Sequence, residues 1–133
     1  MSPRPGLAAQ SRDNHLTLRR VERQHRILDR LLAGNEPVTA PRLAGELGVS
    51  QRTVVRDLQR LRDSGVPLEV RAGPHGGVRL GVPAAVAAIR FDAAEIAALV
   101  ATLVALGPTA SEPAASAMRK LIGALGVAGD RPH

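Results

Sequence analysis

The chain of 133 residues contains no cysteine, tryptophan or tyrosine, and only one phenylalanine. Without cysteine there are no disulfides, no thiol chemistry and no cysteine-based zinc site. Without aromatics, a core must be assembled from Leu, Val, Ile and Ala. The stacking platform by which proteins commonly hold single-stranded nucleic acid is missing as well. The first residues, MSPRPGLAAQ, lack the continuous apolar run of a signal peptide. The longest apolar stretch, residues 96–106, falls well short of the roughly 20 residues that span a bilayer. A cytoplasmic protein with no membrane partner is expected. The four histidines, His15, His25, His75 and His133, are scattered without metal-ligand spacing. No paired carboxylates and no nucleophile with an adjacent base stand out. Neither catalysis, metal nor cofactor is expected.

What is present is positive charge, unevenly placed. The net charge is +6; residues 1–80 hold 14 Arg against 8 acidic residues, while residues 81–133 hold four of each sign. A polyanion is therefore the expected partner of the first part alone.

Residues 1–15 carry Pro, Arg and Ser without periodicity and read as a disordered arm. From residue 18 to residue 33, Val21, Leu28 and Leu32, with Ile27 and Leu31 beside them, recur at helical spacing until Gly34-Asn35. Thr39 suits the N-cap of a second helix that tolerates Pro41 in its first turn and stops at Gly48. Ser50 suits the N-cap of a third, residues 51–64, closed by Gly65. LEVR and VRL, separated by Gly-Pro-His-Gly-Gly, alternate apolar and polar residues and predict a β-hairpin. It would carry Leu68, Val70, Val78 and Leu80 on one face and Arg71 and Arg79 on the other. The organisation expected is a winged helix-turn-helix over 16–81, a linker over 82–91, a helical segment over 92–126 and a tail over 127–133. The fold class is mainly α with a small hairpin wing: a three-helix bundle plus wing, then two C-terminal helices.

The turn between the second and third helices carries the motif. Ala44 is small where two helices cross, Gly48 supplies positive φ, and Val54 fills the angle, with Leu43, Leu47 and Val49 completing the wedge. At 100° per residue, Val54, Leu58 and Leu61 share one side of the third helix, and Arg52, Val55, Arg56 and Gln59 the other. An arginine near a helix N-terminus opposes the helix dipole. That placement makes sense if a duplex lies in front of it. Arg can pair with guanine, Gln with adenine, and a Val methyl with the thymine methyl in the major groove. Ser50, Gln51 and Thr53 suit phosphate contacts, as do Arg42 on the second helix and Arg71 and Arg79 on the wing. Arg60 and Arg62 read as a solvated face, with Asp57 and Asp63 as candidate ion-pair partners.

Residues 26–80, RILDRLLAGNEPVTAPRLAGELGVSQRTVVRDLQRLRDSGVPLEVRAGPHGGVRL, resemble the N-terminal winged helix-turn-helix (HTH type 11) of bacterial WYL-domain and DeoR-like transcriptional regulators. The tokens VTAPRLAGELGVSQRTVVRDL, LRDSGVPL and GGVRL carry the likeness. The resemblance implies a dimeric, sequence-specific binder of double-stranded DNA. It places Ser50, Arg52, Thr53 and Arg56 on DNA-contacting positions, and Gly76, Gly77 and Arg79 on the wing. Val55 and Val78 stand where the family often has Tyr. Residues 91–126 resemble only the helical connector ahead of the family's effector domain, so a sensor for a small-molecule effector is expected to be absent.

In that connector, Asp92 suits an N-cap, and Ile96, Leu99, Val100, Leu103 and Val104 form an i, i+3, i+4, i+7, i+8 stripe backed by alanines. A fifth helix is expected over 114–125. The stripe reads as a homodimer interface giving two recognition helices about one DNA turn apart. Packing onto the first helix and the wing is the plainer alternative. A different class of function also stays open: an interaction module without a sensor that pairs with, or modulates, a full-length regulator.

Overall fold

The structure is a computed structural model describing residues 6–34, 36–81, 88–107 and 111–127. The remaining positions, which include Asn35 and parts of the expected arm, linker and tail, lie outside the described residues. The chain divides into two compact units, Met1–Val86 and Ala87–His133. Among the described residues there are five helices and one two-stranded antiparallel sheet, and no helix is long and apolar enough to cross a membrane.

In the first unit, α1 spans Leu7–Leu32, α2 Ala40–Leu47 and α3 Gln51–Asp63, followed by β1 Leu68–Arg71 and β2 Gly77–Leu80. The caps follow the sequence. The Thr39 hydroxyl accepts from the Arg42 N–H at 3.3 Å, and Ser50 Oγ accepts from the Thr53 N–H at 3.1 Å. Gly48, at φ 69°, turns the chain between α2 and α3, where a side chain would be strained. Three helices and a hairpin wing make this a winged helix-turn-helix.

Helix α1 differs from expectation at its start. Residues 7–15, read as part of a disordered arm, are helical. Leu7, Ala8, Ala9, Gln10 and Arg12 are good helix formers, and adding residues to an existing helix is cheap compared with nucleating one. The inward face differs too. The doublets Ile27-Leu28 and Leu31-Leu32 offer two stripes one residue apart. The fold buries Ile27 and Leu31, leaves Leu28 partly buried and exposes Leu32.

The core joins Ile27 and Leu31 of α1 to Leu43, Ala44, Val54 and Leu61 of the helix-turn-helix, and to Leu68 and Val78 of the wing. Ile27, Leu43 and Val54 are completely enclosed. Each such side chain contributes about 1.5–3 kcal/mol through burial. Strands β1 and β2 pair Leu68 with Leu80 and Val70 with Val78, so these four share a face, opposite the Glu69–Arg79 pair. Val38, just before α2, exchanges two backbone hydrogen bonds of 2.8 Å with Val78. This bridge ties the wing to the helix-turn-helix. Nothing in the local pattern around Val38 announces it.

In the second unit, α4 spans Ala93–Leu106 and α5 Glu112–Val127. A capping box starts α4: the Glu95 N–H donates to Asp92 Oδ1 at 2.8 Å, and the Asp92 N–H donates to Glu95 Oε1 at 2.9 Å. Helix α5 begins two residues earlier than expected, at Glu112 rather than Ala114. Ser111 Oγ accepts from the Ala114 N–H at 3.2 Å, and Pro113 occupies the first turn, where its missing N–H is no loss. The two helices pack on each other, and Met118 of α5 is buried. No side chain of α4 is.

Candidate nucleic-acid interface

Burial divides α3 lengthwise. Val54, Asp57 and Leu61 face inward and Leu58 is half-buried, while Gln51, Arg52, Val55, Arg56 and Gln59 face out. Its N-terminus is held by Ser50, whose hydroxyl also lies 2.9 Å from the Thr53 hydroxyl. No acidic residue occupies the first turn. The positive end of the dipole therefore faces Arg52 without a neutralising carboxylate, a repulsion of roughly 0.3–1 kcal/mol.

The ion pairs sort the arginines. Arg30 meets Glu46 at 2.8 Å, Arg42 meets Glu46 at 3.4 Å, and Arg79 meets Glu69 across the hairpin at 2.8 Å. The Arg30 hydrogen bond, aided by the charges of Arg30 and Arg42, holds the Glu46 carboxyl below the ordinary glutamate range. Arg23 and Arg60 both converge on Asp57. By contrast, Arg52, Arg56 and Arg71 make no ion pair or side-chain hydrogen bond among the described residues, and all three are exposed.

Other expected contact residues have occupations within the fold. The Gln59 amide donates to Asp63 Oδ1 at 2.8 Å, one turn along the same helix. Ser50 and Thr53 are engaged in the cap. Gly76 and Gly77 are required by backbone packing. A Cβ at Gly76 would collide with the Arg71 carbonyl oxygen, and one at Gly77 would stand 2.7 Å from the Val38 carbonyl. Gly77 also has φ 140°, which side-chain-bearing residues rarely adopt.

Two features escaped the pattern reading. One is Asp57, fully buried although it is an acidic residue in an arginine-rich helix. It accepts two hydrogen bonds from the Arg23 guanidinium, one of them at 3.1 Å, and one from the Gln24 amide at 3.3 Å. The residue sits three positions from Val54 and four from Leu61, so helical spacing alone places it inward; its charge argued otherwise. The other is an apolar cleft of about 230 Å³ between α3 and the hairpin, lined by Val55, Leu58, Leu68, Val70 and Val78, with Arg62 and Gln59 at its edge. Val55 and Val70 are each at least half exposed at its mouth.

A family model described as an HTH domain matches residues 23–79. The matched stretch covers the end of α1, all of α2 and α3, and the hairpin to Arg79, the part of the chain with helix-turn-helix form. The match begins at Arg23, partner of Asp57, and ends at Arg79, and so encloses both the α1–α3 ion pair and the Val38–Val78 bridge. Residues 7–22 of α1 and the whole second unit lie outside it. No solved structure matches the chain.

Proposed function

We propose that the chain is a sequence-specific double-stranded DNA-binding regulator of transcription, not an enzyme, of the lineage of the WYL-associated and DeoR-like bacterial modules it resembles. One observation carries this reading. Arg52 and Arg56 stand exposed on the outward side of α3, flanking Val55 and without an acidic partner among the described residues, and Arg52 sits at the helix end where positive charge is least welcome. In the major groove the two guanidinium groups pair with guanine edges and Val55 meets a thymine methyl. Gln59 joins the readout on release from Asp63. Gln51, the α3 N-terminus and Arg71 take phosphates and set the register. Arg42 and Arg79 remain able to meet phosphate because their carboxylate partners are surface groups.

The second unit supplies dimerisation in this proposal. Ile96, Leu99 and Leu103 of α4 line an apolar groove with Phe91 and with Ala117, Leu121 and Ala124 of α5, while Val104 lies exposed and Val100 half-buried. A helix this apolar with no buried side chain suits a second copy, which would set two recognition helices on a pseudo-palindromic site. Selection of bound duplexes from a random pool tests the reading. Wild type should yield a motif with two-fold symmetry. Arg52→Ala should lose about 1–3 kcal/mol of affinity and its preference at one base pair per half-site. Indifference to sequence in both proteins would overturn specific recognition. A monomer in sedimentation at micromolar concentration would remove the homodimer.

A further inference from the structure

Helix α1 is about 39 Å long at 1.5 Å per residue, yet its buried side chains, Ile27 and Leu31, lie in its last two turns. Residues 10–17 are all exposed. Along α1 arginines recur at a seven-residue interval, from Arg12 in this exposed portion through Arg19 to Arg26. Seven residues are almost two full turns, so the three form one row about 21 Å long. All three are exposed, and none makes an ion pair or side-chain hydrogen bond among the described residues. Glu22, one turn before Arg26, makes no ion pair with it among the described residues.

The row has a defined orientation within the first unit. Arg23 and Arg30 lie within about 60° of it around the helix, three residues before and four after Arg26. Arg23 touches Asp57 of α3 and Arg30 touches Glu46 of α2. The row therefore runs along the flank of α1 beside the helix-turn-helix, and Arg12 and Arg19 carry it beyond that body.

We infer that the arginine row of α1 is a second DNA-contacting surface, one that holds the phosphates of duplex flanking the segment read by α3. This rests on the DNA-binding function proposed above and extends it to Arg12 and Arg19, which lie outside the matched domain. Charge complementarity selects the occupant: three unpaired guanidinium groups spread over 21 Å match the rise of about six base pairs. Guanidinium groups meet phosphate oxygens readily, and such contacts add affinity without adding sequence preference.

The test measures, for the full chain, the affinity for a selected duplex against salt concentration. It uses two duplex lengths: one with the motif alone, and one with six further base pairs on each side. Arg12→Gln/Arg19→Gln/Arg26→Gln should lower the slope of log K against log salt by about 2–3. Between 50 and 200 mM salt, wild type would then lose about 40-fold more affinity than the variant. Wild type should favour the longer duplex and the variant should not, with the selected motif unchanged. Arg12→Lys/Arg19→Lys/Arg26→Lys keeps the charge and should restore most of the slope, which separates phosphate contact from loss of the helix. An unchanged slope, or a glutamine variant altered only in its sedimentation, would overturn the inference. Failure of the underlying reading looks different: wild type would not bind the duplex, or Arg52→Ala would bind as wild type does.

Discussion

Removing the Asp57 carboxylate should unfold the helix-turn-helix far more readily than removing any of its surface charges. The carboxylate is fully buried, and its accepted bonds come from two donors of Arg23 and one of Gln24. Breaking a buried ion pair by deleting one partner generally costs about 3–5 kcal/mol, because the other charge stays desolvated. Here the Arg23 side chain keeps 21% of its surface in water and can turn outward. That relief lowers the expected loss for Asp57→Ala to about 2–4 kcal/mol. In a domain of this size each kcal/mol moves the midpoint by roughly 4–8 °C, so a fall of about 8–32 °C follows. Urea unfolding followed by helical circular dichroism at neutral pH reads the same quantity. A companion variant, Arg23→Met/Asp57→Leu, removes both charges and should be less destabilised than Asp57→Ala, since apolar packing can replace a buried pair with little loss. A loss under about 1 kcal/mol for Asp57→Ala, or a double variant no better than the single one, would refute this account of what holds α3 against α1.

Gly77→Ala should cost about 2–4 kcal/mol and raise hydrogen exchange at Val38 and Val78, because the new Cβ would meet the Val38 backbone at 2.7 Å and φ there is 140°; wild-type stability and protection would count against the close approach. Glu46 makes stability depend on pH. Its carboxyl is held below the ordinary range in the folded chain, so its contribution is present at neutral pH and fades as pH falls through the folded value. Glu46→Gln should flatten the acid side of a melting-temperature profile, by a small amount because the site is exposed, and an unchanged profile would argue against the Arg30–Glu46–Arg42 contact.

Much of the candidate interface is legible in the order of residues, and for a local reason. Caps and stops at Thr39, Gly48, Ser50 and Gly65 act within a few residues of themselves. The two sides of α3 follow from helical geometry once its start is known. Arg52, Val55 and Arg56 could therefore be placed outward from order alone. The expectations that changed concern choices among near-equivalent local patterns. Ile27-Leu28 and Leu31-Leu32 both satisfy helical period, and packing against α2 and α3 selected one of each. Residues 7–15 looked unstructured for want of an apolar stripe, yet their propensity lets them extend a helix nucleated downstream. Arg79 and Gln59 looked as available as Arg52 until Glu69 and Asp63 were found beside them.

By itself the order of residues determined the three-helix-and-hairpin plan, the boundaries set by capping groups, and the concentration of positive charge in the first part of the chain. These depend on backbone propensity, on the 3.6-residue turn and on composition. Only the tertiary structure decided which arginines are spent on carboxylates and which are left over, that the buried Asp57 takes Arg23 of α1 as its partner, and that Val38 closes onto the wing. The Arg23–Asp57 pair and the Val38–Val78 bridge each join residues more than thirty positions apart. No local pattern can encode such a pairing, because it exists only once packing has brought the partners together.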